Sequence, residues 1–210
     1  MSPPQRTLFR LCLPSHGPRG LTSSWCRPRL QEALASLSPS EDGALAALLA
    51  DESAVEALRI PHYVFDGQIS AKLPDFEEEL LTAVPEYVEG YDPVLTQFNL
   101  GPALTGAQPH FHGDAWNALV YGRKQWFVSP PSRAFFAQPG QRVIDWLRTR
   151  EPEGAGEEAH ASCGAGDEAG CAELVCVQEG GDVVYVPRLW GHAVLNLQQS
   201  VGAAVEFEQQ

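Results

Sequence analysis

The sequence predicts a mainly β protein, a barrel or sandwich of short strands with helices placed mostly before them. Short apolar runs broken by glycine and proline recur between residues 95 and 207, a pattern typical of all-β domains. Leucines at helical spacing between residues 30 and 58 predict helices whose apolar side faces the strands. A further short helix is expected at 141–149, where apolar and charged residues alternate at the same spacing.

Composition limits the domain organisation and the class of partner. The chain has 210 residues, of which 44% are hydrophobic and 20% charged, as expected for one globular domain with a sizeable core. We assign this domain to residues 30–210. No apolar run approaches the roughly 20 residues that span a bilayer. We therefore expect no membrane span. A net charge of −13 repels phosphate backbones, so we also expect no nucleic-acid partner.

Residues 1–29 differ from the rest of the chain. Residues 1–30 contain five arginines and no acidic residue, the composition of an organellar transit peptide. Several prolines make a stable helix improbable there, so we expect a leader without regular structure. The segment favours an organelle, mitochondrion or plastid, with the cytoplasm as the alternative.

Two other features carry no predicted chemistry. Residues 151–172 are rich in glycine, alanine and acids and have too few apolar side chains to offset the entropy of ordering, so a disordered insertion is expected. The chain has five cysteines without a CxxC pair, which indicates neither a zinc site nor a disulfide framework.

Strands follow from alternation and from turn residues. Tyr63 begins an apolar run that ends before Asp66-Gly67, a turn signal. The other strands are expected at 94–100, 115–120, 126–128, 174–178, 182–186, 192–197 and 201–207.

The stretch Gln108 to Pro131 contains the strongest chemical signal. His110, His112 and Asp114 occupy alternate positions, and a strand would present alternate side chains on one face as a metal site. Two apolar runs follow, with Arg123 and Lys124 between them, which we interpret as a hairpin that carries a cation beside the ligands.

The sequence resembles a known family in three places. They are YVFDG at 63–67, the stretch from Gln108 to Pro131, and GGDVVYVPRLWGHAVLNLQQSVGAAVEF at 180–207. These are similar, in this order, to the proximal and distal halves of a JmjC domain. The resemblance covers residues 60–207 and implies a double-stranded β-helix of the cupin superfamily.

The resemblance also implies a site. JmjC oxygenases hold Fe(II) with two histidines and a carboxylate and use 2-oxoglutarate as cosubstrate, and such a facial triad leaves positions open at the metal. His192 matches the distal ligand, and Lys124 matches the cation for the far carboxylate of 2-oxoglutarate. The resemblance further implies pocket or cosubstrate roles for Asn117, Asn196, Trp190 and Tyr185.

The register of the first ligands stays open. His112 and Asp114 have the His-x-Asp form and are favoured because a carboxylate suits Fe(II), with His110 as the alternative ligand. Counting back from Lys124 favours His110 with His112 instead. Ala204 and Glu206 occupy positions where the family often carries a hydroxyl and an amide.

Two functions follow from the resemblance. The first is an Fe(II)- and 2-oxoglutarate-dependent oxygenase that hydroxylates a protein side chain. The alternative is a JmjC-like scaffold, weak or inactive in catalysis, that acts through protein contacts. The resemblance adds the lumen of the endoplasmic reticulum to the possible compartments.

Overall fold

The computed structural model of the protein describes residues 63–75, 92–150 and 173–208. The predicted leader at 1–29, the helices at 30–58 and the insertion at 151–172 lie outside the described residues. The compartment and the domain limits inferred from these segments therefore stay predictions.

Nine strands and two α-helices follow one another along the described parts of the chain. The helices are α1 (Ile69–Lys72) and α2 (Val143–Thr149), and a single 3₁₀ turn covers Pro131–Arg133. The strands are β1 (Val64–Asp66), β2 (Asp92–Gly101), β3 (Gly106–His110), β4 (Asp114–Tyr121), β5 (Arg123–Ser129), β6 (Leu174–Glu179), β7 (Val183–Val186), β8 (Gly191–Asn196) and β9 (Ser200–Glu208).

The strands form two antiparallel sheets with a regular topology. One sheet has the order β1-β2-β9-β4-β7 and the other has the order β3-β8-β5-β6. From β2 onward the chain alternates between the sheets, except that β5 and β6 follow one another in the same sheet. Eight strands connected in this way form a jelly roll, which is also called a double-stranded β-helix. The predicted mainly β fold is therefore confirmed.

Apolar side chains fill the space between the sheets and also cover the outside of the smaller one. Phe127 on β5 and Leu195 on β8 point outward and pack with Val143 and Leu147 of α2, which confirms the predicted helix near residue 145. The interior cluster comes from strands of both sheets and the turn before β8: Trp126, Val128, Leu174, Cys176, Val184, Val186, Trp190 and Val194.

Two predictions about the stretch 108–131 were wrong. His110 ends β3 and Asp114 begins β4, so residues 110–114 are not one strand. These strands belong to different sheets, and the chain crosses from one sheet to the other between them. Strands β4 and β5 also lie in different sheets, so they do not form the expected hairpin. Gly122, with φ of +96°, makes the turn between them.

Cys176 departs from the cysteine prediction. It is disulfide-bonded, and the other four cysteines of the sequence lie outside the described residues. Among the described helices, none has the length and apolarity needed to cross a bilayer.

Candidate metal centre

Three histidines from two elements of the smaller sheet and the crossing loop meet at one point. His110 ends β3, His112 lies in the crossing segment, and His192 lies on β8 opposite His110 in the strand register. One ring nitrogen from each lies within 4.8 Å of the other two. Their ring centroids are also close, 4.1 Å apart for His110 and His192 and 4.7 Å for His112 and His192.

Backbone carbonyls select the tautomer of all three rings. A carbonyl oxygen can only accept a hydrogen bond, so a ring nitrogen that bonds to one must carry the proton. Nδ1 of His110 donates to the carbonyl of Gln108 at 2.7 Å, and Nδ1 of His112 donates to that of Gly113 at 2.9 Å. Nδ1 of His192 donates to the carbonyl of Trp190 at 3.1 Å. In the neutral rings Nε2 therefore keeps its lone pair for a metal.

Burial keeps two of these rings in the neutral form that binds metals. Loss of water around the ring lowers the pKa of His110. The pKa of His192 lies well below its ordinary value, first because the ring is buried and second because His110 and His112 are close. A cluster of imidazoles with Nε2 atoms free to bind is a suitable donor set for Fe(II), Zn(II) or another late first-row divalent ion.

The histidines line an open cavity that also contains Lys124. This cavity has a volume of about 450 Å³, counting space continuous with solvent. Lys124 on β5 is buried, and Nζ donates a hydrogen bond of 2.5 Å to Oδ1 of Asn99. Burial lowers its pKa to about 7. The cavity therefore places a group that easily becomes cationic in the same space as the three imidazoles.

Asp114, the predicted carboxylate ligand, is not part of the histidine cluster. Its Oδ1 accepts hydrogen bonds from the hydroxyl of Tyr185 at 2.6 Å and from the backbone N–H of Arg188 at 3.0 Å. The structure thus brings together His110, His112 and His192, the residues of the alternative register. The carboxylate instead contacts β7 and the turn that follows it.

The other predicted site residues divide into two groups. Asn117 lines the cavity, and its buried Oδ1 has no hydrogen-bond partner. Asn196 is fully buried and donates to Oγ1 of Thr105 at 3.1 Å. Trp190 packs in the interior cluster, and the ring of Tyr185 stacks on Phe207 at 6.0 Å. None of these last three predicted residues is among those that line the cavity.

Sequence reasoning missed four aromatic residues of the cavity wall, the tryptophans of β4 and β5 and two from one earlier segment. Tyr63 and Phe65, from the YVFDG segment, line the cavity beside Gln97 and Ala204. Burial raises the pKa of the Tyr63 hydroxyl above its ordinary value. The segment was recognised as a strand, but only the pairing of β1 with β2 brings it to the cavity. Glu206 does not line the cavity.

Comparison with known proteins gives a family context. No protein-family model matches the chain. Human JmjC domain-containing protein 8 is 32% identical over 104 residues, which are 50% of this chain and 34% of that protein. The predicted resemblance to JmjC-domain proteins is confirmed. The arginine-specific demethylase JMJ22 of Arabidopsis thaliana, another JmjC relative, is 29% identical over 171 residues, or 70% of this chain and 31% of its own.

A third JmjC relative is named for the cofactors of its reaction. The 2-oxoglutarate and iron-dependent oxygenase JMJD4 of Danio rerio is 29% identical over 107 residues, which are 49% of this chain and 24% of that protein. The chain spans about a third or less of the length of these three relatives. They are JmjC proteins that include an oxygenase and a demethylase, and the histidine cluster of this chain could hold a metal.

Proposed function

We propose that the chain is an Fe(II)- and 2-oxoglutarate-dependent oxygenase of the JmjC type, which hydroxylates a side chain of a protein substrate. The observation that carries the proposal is the shared cavity. Three imidazoles with free Nε2 atoms lie in the same space as the buried Lys124. A metal site alone would fit many cupins, whereas the lysine adds a place for a carboxylate.

The metal ligands we propose are His110, His112 and His192. Each ring is oriented by a backbone carbonyl, as expected for histidines that hold a metal. Because imidazole ligands carry no negative charge, the bound divalent ion would keep its full charge of +2. Bound Fe(II) would supply oxygen activation coupled to oxidative decarboxylation of 2-oxoglutarate to succinate.

Lys124 is proposed to bind the far carboxylate of 2-oxoglutarate. Nζ has one neutral partner, Asn99, and among the described residues no carboxylate forms a salt bridge with it. A charge-assisted hydrogen bond to a ligand carboxylate would supply the missing anion. Ala204 lines the cavity but has no hydroxyl that could donate to the same carboxylate. Tyr63 also lines the cavity, and we propose that its phenol donates in place of that hydroxyl.

The entrance of this cavity supports a protein substrate. The cavity is continuous with solvent and Phe65, 44% exposed, forms part of its wall. An exposed aromatic ring beside a metal site suits contact with a polypeptide, because aromatic side chains are enriched where proteins meet. The names of the relatives support a protein substrate in the same way, since one is an arginine-specific demethylase.

The test measures metal, cosubstrate and turnover separately. The chain is first titrated anaerobically with Fe(II). It is then titrated with 2-oxoglutarate, and calorimetry measures the binding. Succinate is assayed after air is admitted. Lys124→Ala should weaken 2-oxoglutarate by about tenfold to a hundredfold, since the lost bond contributes roughly 1.5–3 kcal/mol, and should leave Fe(II) affinity nearly unchanged.

Lys72→Ala is the matched control. Lys72 is 56% exposed and pairs with Asp66 outside the cavity, so this variant should bind both ligands like the wild type. A metal-loaded wild type that binds no 2-oxoglutarate at millimolar concentration would overturn the oxygenase proposal and favour the scaffold. A wild type that binds no divalent metal would overturn the metal site as well.

A further inference from the structure

The turn between β7 and β8 contacts two of the three clustered histidines through the backbone. The N–H of Leu189 donates to the carbonyl of His112 at 2.8 Å. One residue later, the carbonyl of Trp190 accepts the hydrogen bond from Nδ1 of His192. The turn closes on itself through the N–H of Trp190, which donates to the carbonyl of Pro187 at 3.1 Å. The positions of His112 and His192 therefore depend on where this turn lies.

The backbone of the turn is strained at its centre. Leu189 has φ of +64°, a left-handed conformation that is unfavourable for a residue with a side chain. Its side chain is 48% exposed, so burial of the leucine does not offset this cost. Such a conformation persists only where the surrounding contacts fix it.

Asp114 supplies contacts that fix the turn. It accepts the backbone N–H of Arg188, the residue next to Leu189, and the hydroxyl of Tyr185 on β7. Hydrogen bonds to an ionised carboxylate are about twice as strong as neutral ones. Asp114 lies two residues after His112, so these bonds join the crossing segment to the turn just after that histidine, next to the bond from Leu189 to its carbonyl.

We propose that Asp114 is a positioning residue and not a metal ligand. Its carboxylate, held by Tyr185 and the N–H of Arg188, fixes the crossing segment against the β7–β8 turn so that His112 and His192 face one another. This inference rests on the proposed metal site and assigns a different task to the residue that the His-x-Asp pattern marks as a ligand. The pattern is met in the sequence, but the carboxylate is used outside the cluster.

The decisive variant keeps the acceptor and removes the charge. In Asp114→Asn the amide oxygen still accepts from Tyr185 and Arg188, whereas a metal would lose an anionic ligand. We expect Asp114→Asn to bind Co(II), a spectroscopic substitute for Fe(II), within about threefold of the wild type, well under the 10–100-fold cost of a lost supporting contact. Its visible absorption spectrum should be unchanged, because the ligand set is the same.

Two further variants break the hydrogen bonds. Asp114→Ala should weaken Co(II) by about 10–100-fold, the usual effect of a lost residue that orients a ligand. Tyr185→Phe should change it in the same direction by less, since the bond from Arg188 remains. The control is Tyr121→Phe, a tyrosine that is 64% exposed, which should bind like the wild type. A loss of binding in Asp114→Asn as large as that in His112→Ala, or an altered spectrum, would overturn the proposal.

A readout without metal separates this proposal from the proposed function. Nitrogen NMR of the imidazoles in the metal-free chain should show changed His112 signals in Asp114→Ala and Tyr185→Phe and unchanged signals in Asp114→Asn. Unchanged His112 signals in all three variants would overturn the positioning role even if the wild type binds metal. If the wild type binds no metal but the variants show these imidazole changes, the metal site alone would be overturned.

Discussion

Lys124 and Asn99 form a hydrogen bond of 2.5 Å inside the jelly roll, and neither side chain is more than 1% exposed. Burial of an amine without an anionic partner disfavours its charged form, which is why the pKa of Lys124 falls from 10.5 to about 7. The lysine is thus costly for the free protein and becomes favourable when an anion enters the cavity. This relation leads to three of the predictions below.

Removing this lysine should stabilise the free protein. Lys124→Met should raise the free energy of unfolding at neutral pH by a few kcal/mol, because each unit of pKa shift is worth about 1.36 kcal/mol. The loss of a donor to Asn99 offsets part of this gain. Urea unfolding measures the effect, and Lys72→Met, at an exposed lysine, should not reproduce it.

The pH dependence of this gain has a defined sign. Between pH 7 and 10.5 the unfolded chain keeps the proton on Lys124 and the folded chain releases it. The unfolded state then binds more protons, so wild-type stability rises with pH across this window. The gain from Lys124→Met should therefore be largest below pH 7 and shrink toward pH 10.5. A gain that is constant across the window would show that Lys124 stays charged in the fold.

Gln178 should be essential for stability because it joins strands of both sheets. Its Oε1 accepts from Nε1 of Trp126 at 2.8 Å, and its Nε2 donates to the carbonyls of Asn117 and Asp182 at 2.9 and 3.1 Å. The side chain is 1% exposed. Gln178→Met keeps the volume and leaves these buried groups unpaired, so we expect a loss of about 2–4 kcal/mol.

The control for this change is Gln138→Met, at an exposed glutamine, which should stay within about 0.5 kcal/mol of the wild type in urea unfolding. Equal stability of the two variants would show that the buried network contributes nothing. Fluorescence of Trp126 gives a second reading, since its indole loses the acceptor in the first variant only.

Gly122 should not tolerate a side chain. A Cβ at this position would lie 2.2 Å from the carbonyl oxygen of Gln199, and φ is +96°. Gly140 has a comparable φ of +81° with nothing within 4 Å, so Gly140→Ala measures the backbone strain alone, roughly 1–3 kcal/mol. In thermal unfolding Gly122→Ala should lose clearly more than Gly140→Ala. Equal losses would mean that the turn between β4 and β5 shifts to accommodate the Cβ with no further loss of stability.

The sequence predicted strands better than it predicted the site, for a physical reason. Alternation and turn residues act within one strand, so β2 and the helix at Val143–Thr149 were found close to their observed limits. The same alternation fails where the chain leaves one sheet for the other. His110 and Asp114 share a parity but belong to different sheets, and parity says nothing about faces across such a crossing.

Long-range contacts account for the rest of the difference. Tyr63 reaches the cavity through pairing of β1 with β2, and the phenol of Tyr185 reaches Asp114 across 71 residues of sequence. A local sequence pattern carries no information about contacts between residues so far apart in the chain. The sequence identifies Lys124 because its spacing from the histidines is similar to the spacing in the JmjC family. Its burial beside Asn99 is a property of the folded interior.

Binding of 2-oxoglutarate should be accompanied by proton uptake. At about pH 8 a lysine with a pKa near 7 is roughly nine-tenths neutral, and a bound carboxylate restores the charged form because opposite charges favour ionisation. With metal bound, the cavity histidines stay deprotonated, so Lys124 is the group that takes up the proton. Calorimetry in two buffers of different ionisation enthalpy should give about 0.9 proton per ligand. Uptake should disappear in Lys124→Met and decline as the pH falls below 7. Tight binding without uptake at about pH 8 would show that the lysine is already charged in the free cavity.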